Sequence, residues 1–96
     1  MPATPDDVRR MLYPFTIMQL KTAKEKMTYP PRPFGENFNG ALAAAKEAMP
    51  NEKYWPEPIR FTAEQTCQAT YFDIQVYARQ IINKLPSMPM GTPMVV

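Results

Sequence analysis

The sequence predicts a mainly α-helical chain: two to four helices joined by extended proline-rich arms, with little independent core and no strand that reads clearly. Three observations predict it. Apolar residues recur at helical spacings beside recognisable helix starts, as in Thr4-Pro5-Asp6-Asp7. Twelve prolines among 96 residues interrupt every long run that could build a core. No segment alternates apolar and polar residues between turn signals, as a half-buried strand would. All 96 residues read as one small helical chain, with extended segments at 28–39, 50–61 and 86–96.

The first helix is expected from Thr4. Threonine can cap, proline suits the first helical position, and Asp6 and Asp7 oppose the helix dipole. Val8, Met11, Leu12 and Phe15 form its apolar stripe. Pro14 removes a helical hydrogen bond and crowds the turn before it, so the spacing predicts a kink, or a second helix from Pro14 to about Met27 with Ile17, Leu20 and Met27 on a rotated face. Thr28 to Gly40, "TYPPRPFGENFNG", should be extended, because clustered prolines favour polyproline geometry. A short helix follows from Gly40 to Met49, capped by Asn39 or Asn37. Its stripe of Leu42, Ala45 and Met49 suits a close neighbour. "PNEKYWPEPIR" is a loop with Tyr54, Trp55 and Ile59 as anchors.

The longest orderly passage runs from Phe61 to Pro86. Thr62 with Gln65 three residues on spells a capping box, and Pro86 stops the helix. That predicts about 23 helical residues, roughly 35 Å long. Cys67, Tyr71, Ile74, Ala78, Ile81 and Leu85 make a seam, widened by Tyr77 and Ile82. Ala69, Phe72 and Val76 fall on nearly the opposite side. A helix apolar on two sides is expected to lie between two surfaces. Ile81 reads as the centre of the main contact, and Gln75 as a tolerant residue at its margin. The tail after Pro86 has no charged side chain. It carries Met88, Met90 and Met94, whose flexible thioethers suit shallow pockets on a partner.

Chemistry is sparse. There is no histidine, which removes the commonest general base and most zinc sites. One cysteine excludes an internal disulfide. It also excludes a cysteine-rich metal site within one chain, and on the apolar seam it reads as a small hydrophobe. Three scattered glycines form neither a phosphate loop nor a dinucleotide fingerprint. The reading is therefore a non-enzyme with no cofactor, metal or small-molecule ligand. The net charge is +2, and Lys21, Lys24 and Lys26, interrupted by Glu25, are the one basic cluster. That is too little to predict nucleic-acid binding. No run of 18 apolar residues predicts a transmembrane helix. The opening "MPATPDD" is acidic and proline-bearing, unlike a secretory signal. Pro30-Pro31-Arg32-Pro33 matches the P-x-x-P pattern taken by aromatic grooves, but such matches occur readily in a proline-rich chain, and a rigid spacer is the favoured reading.

Leu12-Tyr13 in "MLYPF" is shared with the Leu-Tyr-Arg family of mitochondrial helical proteins, but Pro14 stands where that family needs arginine, so the chain departs from it. The mix of helices, proline arms and methionine resembles small supernumerary subunits of mitochondrial respiratory complexes, in composition and layout rather than in a motif. The resemblance implies an intracellular, non-catalytic accessory subunit of a mitochondrial inner-membrane complex, membrane-adjacent and stabilising larger protein subunits. The partner-binding residues expected on this reading are Trp55, Cys67, Tyr71, Phe72, Ile74, Val76, Ala78, Ile81, Leu85, Met88, Met90 and Met94. The alternative is a free-standing adaptor binding through a helix groove or a proline motif. A peripheral membrane binder using residues 8–27 is a third reading.

Overall fold

The computed structural model describes residues 3–85. They form four helices: α1 (Pro5–Thr16), α2 (Ala23–Lys26), α3 (Arg32–Ala48) and α4 (Tyr71–Lys84). No named strand occurs among them, only two isolated bridges, Pro31 with Thr66 and Phe61 with Cys67. The chain is mainly helical, as its patterning predicts.

α1 starts where expected. Thr4 Oγ1 accepts from the Asp7 backbone N–H, and the Asp7 carboxylate accepts from the Thr4 N–H. Pro14 lies in the last turn, where the interruption it causes coincides with the helix end at Thr16. The helix expected from Pro14 to Met27 is not formed. An irregular stretch follows α1, and α2 is a single turn capped by Thr22, with Glu25 completing the box.

The arm expected at 28–39 is extended only to Pro31. Arg32 opens α3, which runs through Asn37 and Asn39 to Ala48. Pro31 and Pro33 are compatible with this because the first turn of a helix has no intrahelical use for their missing N–H groups. The P-x-x-P run is accordingly no polyproline arm: Pro30 is buried and Pro33 is helical. The 50–61 segment is irregular, as expected, but it lies on the body of the chain. Ile59 is buried, and its backbone N–H and C=O are held by the Asn39 side chain at 2.7 and 3.0 Å. Trp55 is half-buried with its Nε1 donating to Glu52 O, while Tyr54, expected as an anchor, is exposed.

The largest correction concerns the long helix. α4 begins at Tyr71, capped by Thr70 and Asp73, not at Thr62. Residues 61–68 instead fold back as a tight loop. Thr62 N–H donates to Thr66 O at 2.8 Å, the two threonine hydroxyls meet at 2.7 Å, and Gln65 takes φ 66°. The loop is stitched to the start of α3: Arg32 N–H donates to Gln65 O, and Cys67 N–H to Pro30 O, each at 2.9 Å.

α1, α3 and α4 pack on one another, and α2 packs on α4. Between them lies a contiguous core of Val8, Leu12 and Phe15 from α1, Phe38, Ala41, Leu42 and Ala45 from α3, and Ile74, Ala78 and Ile81 from α4, closed by Ile59, Cys67 and Leu85. The expectation of little independent core is corrected here. The loops supply apolar anchors that helix periodicity did not count. Gly35 makes one such junction possible. A Cβ there would stand 2.6 Å from Cys67 Sγ and 2.8 Å from Phe61 Cε1.

Candidate functional site

The predicted seam is answered inside the chain. Cys67, Ile74, Ala78, Ile81 and Leu85 all belong to the buried core, so none presents a side chain to a partner in this fold. This corrects their assignment as partner-binding residues: α1 and α3 supply the surface that the seam requires. The Cys67 Sγ donates to Pro31 O at 3.4 Å, and burial pushes its thiol pKa up, which disfavours the reactive thiolate. The opposite side of α4 is only part-covered. Val76 is half-buried and Phe72 is exposed, with Lys26 Nζ of α2 5.7 Å from its ring centroid; Tyr71, at the start of the helix on the seam side, is half-buried. Trp55 lies apart from these, beneath Lys84 Nζ at 5.9 Å. Met88, Met90 and Met94, with the extended segment expected at 86–96, lie outside the described residues.

Gln75 is a residue whose importance the periodicity hid. It is 4% exposed, and its side-chain nitrogen reaches Met18 O at 2.9 Å, Phe15 O at 3.2 Å and Thr16 O at 3.4 Å. Those of Phe15 and Thr16 are carbonyls that a helix C-terminus leaves without intrahelical partners, and that of Met18 lies just past the cap. α4 thus caps α1 from the side, fixing the path of the chain as it leaves Thr16. Arg79 adds a weaker donor to Thr16 O at 3.4 Å.

That exit path shapes the surface. Among the described residues, six of the seven exposed large apolar side chains lie on α1, its connection to α3, or the start of α4: Met11, Tyr13, Ile17, Met27, Tyr29 and Phe72. Two shallow clefts lie in the same region. One is lined by Arg10, Met11, Pro14, Phe15, Phe34 and Asn37. The other is lined by Met18, Gln19, Leu20, Glu25, Thr28 and Tyr71. An edge-to-face stack joins them, Phe15 on Phe34 and Phe34 on Tyr71, each with ring centroids 5.0 Å apart. The Tyr71 N–H donates to Thr28 O at 2.9 Å, which fixes the second cleft's wall to α4.

The two ends of this strip differ in charge. Near the first cleft, Arg9 and Arg10 pair with Asp6 and Asp7. Near the second, Lys21, Lys24 and Lys26 meet no carboxylate among the described residues. Glu25 is turned to the backbone, accepting from the N–H groups of Thr22 at 2.9 Å and Lys21 at 3.0 Å. Those hydrogen bonds hold its carboxyl below the usual range.

Among the described residues, no three or more carboxylate or cysteine side chains gather as a metal site, and no helix is long and apolar enough to cross a membrane. No family model matches the chain, and searches of curated proteins and of solved structures return no match.

Proposed function

We propose that this protein is a non-catalytic accessory subunit of a larger assembly, its best home a respiratory-chain or related membrane complex, and that it docks on a larger subunit through the cleft at Met11, Pro14 and Phe34. The observation that carries this reading is the placement of the apolar surface. Met11 is exposed beside Phe15, a core residue, and Phe34, which is partly buried and packs against the core. A partner side chain entering the cleft would therefore extend a packed aromatic cluster rather than meet isolated apolar atoms. The charges flanking the cleft are paired within the chain, so the contact asks for apolar matter and little else. Against the proline-motif route of the adaptor alternative stand the burial of Pro30 and the helical geometry of Pro33.

The test is size-exclusion of native extract with tagged protein, followed by identification of what co-migrates. The unmodified protein should elute with a much larger species. Met11→Glu changes an exposed side chain, leaves the helicity intact, and should weaken that association at least about tenfold by placing a carboxylate in an apolar contact. Elution of the unmodified protein at its own size would refute the subunit reading.

A further inference from the structure

We propose that the other end of the strip, the connection from Leu20 to Tyr29 together with Phe72, rests on the surface of an anionic lipid bilayer. Every residue from Lys21 to Tyr29 is exposed. Within that run Lys21, Lys24 and Lys26 are followed directly by Met27, 64% exposed, and Tyr29, 55% exposed, while Leu20 lines the adjoining cleft. Phe72 brings an aromatic ring beneath the Lys26 ammonium, so cation and apolar surface occupy one place.

Charge decides the occupant. Arg9, Arg10, Arg32, Arg60 and Lys84 each meet a carboxylate, Arg79 donates to Thr16 O, and Lys46 and Lys53 stand singly elsewhere. The three clustered lysines keep their charge for something outside the chain. Glu25, within the cluster, is exposed but accepts from the N–H groups of Lys21 and Thr22, and Asp73, in the first turn of α4, accepts from the Thr70 N–H at 3.2 Å. The segment 16–29 thus carries three positive charges and one negative, a sum of +2 that equals the net charge of the whole chain.

Cations on long flexible stems, mixed with methionine, leucine and aromatic side chains, suit a headgroup layer. There the ammonium groups stay among phosphates while the apolar groups reach the acyl boundary. A nucleic acid would use the charges but offers Met27 no apolar layer, whereas a headgroup layer takes the charges and the apolar side chains together. The lipid contact does not depend on the cleft at Met11, because it lies at the opposite end of the strip.

The experiment is flotation of the full chain with vesicles of phosphatidylcholine alone and of phosphatidylcholine with about 30 mol% phosphatidylserine, at about 0.05 M and 0.5 M salt. Binding should require the anionic lipid and weaken at high salt. Each lysine near such a surface contributes about fivefold, so Lys21→Gln, Lys24→Gln and Lys26→Gln combined should lower partitioning by about 100-fold. Met27→Ser with Phe72→Ser should lower it by about tenfold or more. All five positions are exposed, and circular dichroism checks that the variants keep their helices. No binding to anionic vesicles would overturn the proposal, as would binding unchanged in the lysine variant. Full binding by the Met27/Phe72 variant would overturn it too, since the face would then be only a charge patch open to any polyanion.

Discussion

Replacing Gly35 by alanine places one methyl group where α3 meets the 59–67 loop, and the structure says what that methyl would strike. Its Cβ would lie 2.6 Å from Cys67 Sγ, 2.8 Å from Phe61 Cε1 and 3.1 Å from Ile59 Cγ2. The Phe61 ring is half-buried and can swing, giving up its position 4.7 Å from the Arg32 guanidinium carbon. Cys67 and Ile59 are both core residues and have nowhere to go. Overpacking of this kind costs about 1–3 kcal/mol. Alanine recovers about 0.5–1 kcal/mol in a helix interior, since Gly35 has an ordinary negative φ and needs no special backbone freedom. The net expectation is a loss of about 1 kcal/mol and at most about 2.5 kcal/mol, or a fall in Tm of about 4–8 °C and at most about 20 °C for a domain of this size. Gly40, in the same helix, has nothing within 4 Å of its would-be Cβ. Gly40→Ala should therefore gain the propensity term alone, about 0.5–1 kcal/mol, and raise Tm by a few degrees. Thermal and urea melts followed by circular dichroism measure both. A Gly35→Ala protein that melts at or above the unmodified chain would refute the packing described at this junction.

Gln75→Ala removes the side-chain donor that serves the carbonyls of Phe15, Thr16 and Met18, and should destabilise the chain by about 1–3 kcal/mol in urea titration. A change below about 0.5 kcal/mol would mean that water replaces it without cost. The buried Cys67 thiol, its pKa raised by desolvation, should react with a disulfide reagent far more slowly in buffer than in denaturant; equal rates would show that the loop over it is open. Acid should release the N-terminal caps. Hydrogen bonds from the Thr4 and Thr22 N–H groups hold the Asp7 and Glu25 carboxyls below their ordinary values of 3.8 and 4.5. Stability from a lowered carboxyl pKa is present above the unfolded value and is lost as pH falls through the folded one. Helicity should therefore decline below about pH 4, and less so in Asp7→Asn with Glu25→Gln, whose side chains carry no titratable carboxyl. An unchanged spectrum down to about pH 2 would contradict this.

Local chemistry settled much of the chain without reference to the rest of it. Thr4, Pro5 and Asp7 start α1 because their hydrogen bonds close within four residues, and Leu42 and Ala45 face the core because helical periodicity puts them there. The mainly helical class follows from such short-range rules. The start of α4 was beyond their reach. Thr62-Ala-Glu-Gln and Thr70-Tyr-Phe-Asp both spell a capping box, so the sequence permits a start at either. The choice is made by residues more than thirty positions away. Pro30 and Arg32 take up the backbone groups of Cys67 and Gln65, and Thr28 O receives the N–H of Tyr71. A backbone group bonded across the fold is not available to a helix. The same cause explains the candidate surface. The seam of α4 found its partner in α1 and α3, and the residues left facing outward are those of the α1–α3 connection, whose path is held by the buried amide of Gln75. A side chain that caps another helix carries no periodic signature. Only the fold, by bringing residue 75 to the end of α1, gives it that role.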